Sequence, residues 1–485
     1  MRQSTKIMKN SVALMGGRFY HAVLNLVAVA LIARYLKLEG FGEYGFIMAV
    51  CTIFMVVTDM GINTICMRDV SRDVSGANDI FWAACFLKSV LSLITFGCIA
   101  VIMNLLTHDK QIVSATYIAA VAVIVFFLGD IFAALFVAFE KMGYMALLAV
   151  VQATTYLAFV VLFIRLDLGL HGIFGALLFS YIARILCGIV ITCRKFFKPW
   201  PRWNLSLCLY LLKEAYPIGI NRVLRKITFR IDTILIKTIR SAAEVGIFHG
   251  AYRIILVLTL IPQSINQALF PMISRLATES KASLSKLLER SFKMLLIIVI
   301  PSVATLVLFS KDLILLILGK SFLEAGSALM AFSFVWGMMF FNDLFVRFLN
   351  GCNEQVMATK AVAFCLTVNV CADVALIYWF GYLGAIIATL LAEISLFVWA
   401  YHYLSKRVAL IHWRRVVPKP LLAGILMAIA MYALNPVSRI LAASTGMGAF
   451  FFAIFLLQAL DGEETELIKE SLQKMRHRFG YLTAR

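Results

Sequence analysis

Residues 220–237 read INRVLRKITFRIDTILIK, which sets Arg222, Arg225, Lys226 and Arg230 in a stretch otherwise rich in isoleucine and leucine. A guanidinium fork can make two parallel charge-assisted hydrogen bonds to a phosphate, and an ammonium adds a compact point charge. Four such groups within a few helical turns are therefore chemistry for a polyanion. On one continuous helix, at about 100° per residue, Arg222, Lys226, Arg230 and Lys237 fall within an arc of roughly 80°, with Arg225 on its shoulder. Leu224, Ile227, Ile231, Ile234 and Leu235 take the opposite face.

The surroundings make these cations expensive. An Arg or Lys at the centre of a bilayer costs roughly 2.5–3.5 kcal/mol even on the lenient insertion scale, so a basic stripe must face water or acidic partners. One reading pairs the stripe with Asp232, Glu214 or carboxylates on other spans; the other lines a cationic cavity for a polyanionic head group. Apolar segments elsewhere also hold Arg18, Arg184, Arg253 and Arg347, and together the cations exceed what Asp59, Asp130, Asp232, Asp343, Asp373 and Glu393 can neutralise. That excess favours the cavity, with Arg222, Arg225, Lys226, Arg230, Arg253 and Arg18 as its lining. Asp59, Asp130, Asp232, Asp343 and Glu393 are then either ion-coupling groups or charge partners. Asp343 and Arg347, four residues apart, read as a self-paired couple.

No other chemistry competes. The ten cysteines lie mostly inside apolar runs with no CxxC or Cys/His ligand spacing, so no metal is expected. No Gly-rich phosphate loop or nucleophile elbow occurs either, so neither a cofactor nor an enzyme activity is expected.

The elements that must carry these residues follow from composition. The chain is 62% hydrophobic and 15% charged, against about a quarter charged in soluble domains. Apolar runs near 20 residues recur throughout, each long enough to cross a hydrocarbon core of about 30 Å as a helix. They are too long and uniform for barrel strands, so the expected fold is an all-α polytopic membrane protein. Punctuation gives about fourteen spans, near 9–35, 42–66, 81–106, 112–139, 145–165, 172–193, 210–237, 246–270, 290–309, 326–349, 357–380, 384–405, 414–434 and 440–460. The tail after residue 460 has the spacing of an amphipathic helix on the membrane surface.

Lys and Arg gather in alternate loops, roughly 25 on the side of the termini against about 8 on the other, which puts both termini in the cytoplasm. The net charge of +19 is thereby accounted for by topology and anionic lipid, and no nucleic acid partner is implied.

The chain also resembles itself. FGEYGFIMAV at 41–50 answers to VGIFHGAYRI at 245–254, and MRDVSR ending at Arg72 answers to FPMISR ending at Arg275, at nearly one offset; GIFGALL from Gly172 and GYLGAII from Gly381 continue it. Two parallel six-helix lobes, 1–204 and 205–405, explain this, with two further helices in 406–460 and a cytoplasmic amphipathic tail at 461–485. Parallel repeats are a transporter architecture, with the substrate site between them near mid-membrane.

ARYLKLEGFGEYGFIMAV, TDMGINTICMRDVSRD, RIDTILI at 230–236 and the G-x-x-G-A steps at Gly172 and Gly381 together resemble the polysaccharide transporter family, the Wzx-type flippases of the MOP superfamily. Where that family often has Gly-Pro after its first helix, this chain has Lys37-Leu38. The resemblance implies a V-shaped, two-lobed fold like that of the MATE exporters, in the bacterial inner membrane. It implies the flipping of undecaprenyl-pyrophosphate-linked oligosaccharide, an O-antigen, capsule or exopolysaccharide repeat unit, from the cytoplasmic to the periplasmic leaflet by alternating access. Partners would be that substrate, membrane lipids, and a polymerase and chain-length regulator of the same pathway. The alternatives within the fold are a lipid II flippase and a cation-coupled multidrug exporter; the basic interior argues against the exporter. An O-antigen polymerase or ligase would need a larger outer loop than 310–325 provides.

Overall fold

The computed structural model describes residues 2–459 apart from 198, 203, 229, 408, 409 and 437, and all the regular structure among these is helical. The helices are α1 (Arg2–Asp59), α2 (Ile62–Arg72), α3 (Ala77–Leu106), α4 (Lys110–Ala138), α5 (Met142–Arg165), α6 (Gly169–Lys195), α7 (Leu205–Thr228), α8 (Ile231–Ile239) and α9 (Ala242–Leu258). They continue as α10 (Leu260–Glu279), α11 (Lys281–Ile317), α12 (Ala325–Gly351), α13 (Gln355–Phe380), α14 (Tyr382–Arg407), α15 (Trp413–Val416), α16 (Pro418–Leu434) and α17 (Arg439–Leu456). The amphipathic tail expected at 461–485 lies outside the described residues.

Among the described residues, eleven segments are long and apolar enough to cross a membrane, the first of them, Phe19–Arg72, covering two of the expected spans. The expected spans at 210–237 and 246–270 are each built from two shorter helices, α7 with α8 and α9 with α10. Their polar content explains why neither reads as one apolar rod: the first carries the basic stripe, the second Gln263, Asn266 and Gln267 after Pro262. Fourteen is thus an approximate count of the crossings.

The chain divides into two compact units. One holds the described residues up to Val257 with Leu313–Ala328 and Asn369–Ala388; the other holds Leu258–Asp312, Leu329–Val368 and the described residues from Thr389 onward. In the first, α1 lies against α5, and α4 against α6. One buried core there joins Ile62, Ile65, Phe81, Phe132, Leu135 and Phe136 to Cys208, Leu211 and Ala215, so one stripe of α7 is seated on α2, α3 and α4. In the second, Phe292, Phe341, Phe345, Phe397, Tyr401 and Trp413 form an aromatic cluster, with the Trp413 indole donating to the Tyr401 hydroxyl at 2.6 Å. α16 and α17 pack on each other and on Ile297, Ile300 and Ala304 of α11.

Two details of the first unit bear on movement. Lys37, standing where the related family often has glycine, is held at φ 58°, ψ −167° in the middle of α1, a conformation costly for any residue with a side chain, on the order of 1–3 kcal/mol. It separates the halves of the long helix and delivers Leu38–Gly45 to α9. There the repeated motifs meet each other reciprocally. A Cβ on Gly42 would drive into the Ala242 carbonyl, and one on Gly246 would drive into the Leu38 carbonyl. Gly42 and Gly246 are equivalent positions of the repeat, as are Leu38 and Ala242, so the contact has the form of a two-fold interface. His249 is buried beside it, its ring against Gly45 and 5.6 Å from the ring of Phe41.

Candidate functional site

The polar interior of the first unit is assembled from six helices, each of which gives up one polar side chain. Asp59 ends α1, and Asn63 opens α2 one turn later. Lys88, fully buried on α3, places its Nζ 3.0 Å from Asp59 Oδ1, 2.6 Å from Asn63 Oδ1 and 3.2 Å from the Phe127 carbonyl. Asn63 donates its amide to Asp130 on α4 at 2.9 Å. Asp130 accepts in turn from Arg184 on α6 at 2.6 Å, and Arg184 donates to Gln152 on α5 at 2.7 Å while lying over the Phe126 ring at 4.8 Å. Two carboxylates and two cations thus close into one chain of charge-assisted hydrogen bonds, which is how buried charges are made tolerable.

Beyond this chain lie cations of a different kind. Arg253 on α9 donates to the Asn25 side chain on α1 at 3.0 Å. Arg230 stands between α7 and α8. Neither has a carboxylate partner among the described residues. Arg253 is close enough to act electrostatically on His21, Tyr156, Tyr181 and His249, and Arg230 acts on His249 as well. The two guanidiniums therefore share one aromatic, hydroxyl-bearing neighbourhood.

The remaining expected residues divide as follows. Arg222, Arg225 and Lys226 belong to the backbone of α7 and Arg18 to that of α1, but their side chains lie outside the described residues. The break at Arg230 separates α7 from α8, so Lys237 does not continue the arc calculated for an unbroken helix. Asp343 pairs with Arg347 at 3.0 Å, the couple expected from their spacing, and also accepts from Asn266 at 2.9 Å. Glu393 accepts from the Asn342 amide at 2.5 Å. Asp232 on α8 and Asp373 on α13 come together as a buried acid pair, and both Asp373 carboxylate oxygens lack a hydrogen-bond donor among the described residues.

Lys88, Asn63, Gln152, Asn266 and Asn342 are the functional candidates that reasoning from sequence missed. The internal repeat held a signal for some of them: the Asn63–Asp130 bond of the first half recurs as Asn266–Asp343 in the second, at nearly the repeat offset.

Comparison with known proteins agrees with this architecture. The family model described as "Polysaccharide biosynthesis protein" matches residues 7–277, and that described as MatE matches residues 217–375. A Haloferax volcanii protein named as a low-salt glycan biosynthesis flippase, Agl15, is 20% identical over 411 residues, 83% of this chain and 84% of its own. A Shigella flexneri protein named as an O-antigen transporter is 21% identical over 313 residues, 61% of this chain and 73% of its own. Among solved structures, the lipid II flippase MurJ in an inward closed conformation superposes with a TM-score of 0.75 at 14% identity, over 92% of this chain and 98% of that one. An inward-facing multidrug resistance MATE family transporter of the MOP superfamily gives 0.67 at 16% identity, over 80% of this chain and 95% of that one. These likenesses establish the fold.

Proposed function

The chain belongs to the polysaccharide biosynthesis protein family, and from that premise we propose that it is a flippase for lipid-linked oligosaccharide, moving the undecaprenyl-pyrophosphate-linked form from the cytoplasmic to the outer leaflet. The observation that carries the reading is the division of the cations. Asp59, Asp130 and Asp343 each hold a Lys or Arg, whereas Arg230 and Arg253 meet no carboxylate among the described residues. Unpaired guanidiniums among membrane-spanning helices are tolerable where an anion or water meets them, and a pyrophosphate suits their fork. Arg222, Arg225, Lys226 and Arg18 extend the same lining in this proposal. Moving two or three negative charges outward is favoured by an inside-negative potential at about 2.3 kcal/mol per charge per 100 mV.

The test is export. Expressed as the full chain in a strain lacking its own oligosaccharide flippase, the protein restores surface polymer; restoration of cell-wall growth in a lipid II flippase-deficient strain, with no surface polymer in the first, transfers the reading to lipid II. Polymerase and chain-length regulator are the partners expected to act on the product.

The Lys/Arg bias supports cytoplasmic termini in the inner membrane. Reporter fusions after Arg202 and Lys419 are expected to report cytoplasm and one after Lys110 the opposite side; the reverse pattern inverts the direction of transport.

Coupling is assigned to the acid pair. Asp373 lies buried beside Asp232, and a carboxylate so placed suits the exchange of a proton or small cation. Asp373→Asn is expected to leave a folded protein whose transport no longer responds to dissipating the coupling gradient, whereas an unchanged response removes Asp232 and Asp373 from the mechanism.

A further inference from the structure

Lys88 has a geometry that ion pairing alone does not require. An ammonium has three donors and no acceptor, and here it meets three oxygens from three elements: a carboxylate of Asp59, an amide of Asn63 and the main-chain carbonyl of Phe127, at 3.0, 2.6 and 3.2 Å. The Phe127 ring lies 5.9 Å away, within range of a cation–π contact. The Lys88 side chain is fully buried, and Asp59 and Asn63 are nearly so. One carboxylate with a side-chain amide oxygen and a main-chain carbonyl is a donor set for a hard, singly charged cation, since such ions take oxygen ligands and their charge balances the single aspartate.

We propose that the Lys88 ammonium is a tethered cation: it permanently fills an oxygen-built site in the first half of the chain that, without it, takes a monovalent cation from solution. The carboxylate of Asp59 is thereby neutralised by a group that cannot leave, and Asp130, joined to the same site by the Asn63 amide, is neutralised directly by Arg184. These two carboxylates therefore have no ion to exchange.

The proposal concerns binding and stability, so its test does not depend on the flippase reading. The full chain carrying Lys88→Ala, purified in detergent, is compared with wild type in choline chloride, sodium chloride and methylammonium chloride at equal ionic strength. In choline the variant is expected to melt several degrees below wild type. Methylammonium, the severed end of the lysine side chain, and sodium, the ion it replaces, are expected to restore the melting temperature saturably, with no effect on wild type. Adding Asp59→Asn to Lys88→Ala is expected to abolish the response. Equal stability of Lys88→Ala and wild type in choline, no recovery beyond that in choline, or recovery that survives Asp59→Asn each overturn the proposal. If Lys88→Ala is too unstable to purify, Lys88→Met with Asp59→Asn takes its place, removing charge and counter-charge together at similar volume. That pair is expected to fold and to ignore both cations; failure to fold, or a response to sodium, overturns the proposal.

Discussion

Arg253→Gln and Arg230→Gln are each expected to lower export by roughly ten- to a hundredfold while leaving the melting temperature within about a degree or two of wild type. A hydrogen bond to a charged group is worth about 1.5–3 kcal/mol, and each 1.4 kcal/mol is a factor of ten in binding or in rate. Among the described residues neither guanidinium has a carboxylate to strand, and the one described bond at risk, from Arg253 to Asn25, is one a glutamine amide can also make. Lysine in either position is milder, because it keeps the charge and loses only the fork. The same substitutions at Arg222 and Lys226 extend the series. Measured together, melting temperature in detergent and surface polymer in the flippase-deficient strain decide the matter: variants that misfold, or that fold and export normally, remove these residues from the head-group site.

Asp130→Asn gives the reverse pattern, with stability as the casualty. The substitution keeps a group that can bond Asn63 but leaves the Arg184 guanidinium, mostly buried under Phe126, with no counter-charge. Breaking a buried pair by removing one partner costs about 3–5 kcal/mol, a large part of what holds a domain folded. The loss is expected as a melting temperature lower by several degrees and reduced yield. Adding Arg184→Gln, which removes the stranded charge and can still meet Gln152, is expected to recover most of it. Additive destabilisation in the double variant would mean that the two residues do not act as a pair.

Sequence revealed the class of fold because that information is local: a run of twenty apolar residues is a span whatever lies next to it, as α4, α5 and α12 show. It revealed the Asp343–Arg347 pair for the same reason, since both partners sit on one helix. What it could not supply is anything settled by contacts between distant segments. Lys88 stands alone in an apolar run, and its partners come from α1, α2 and α4. The helical arc through Lys237 assumed an unbroken helix, yet 220–237 has no proline and its one glycine-free run gives no local stop signal. The break at Arg230 has no mark in the local sequence; on either side of it Cys208, Leu211 and Ala215 of α7 sit in one core while Asp232 of α8 lies beside Asp373 of α13. The conformation of Lys37 was hidden likewise, because lysine is the wrong residue to mark a left-handed turn.

The reciprocal meeting of Gly42 with Ala242 and of Gly246 with Leu38 is an approach of backbone to backbone that a side chain at either glycine would prevent. At Gly45 the matched motif has His249 instead, and there the imidazole fills the space the glycine leaves, a knob in a socket that makes the two sides of the contact unlike.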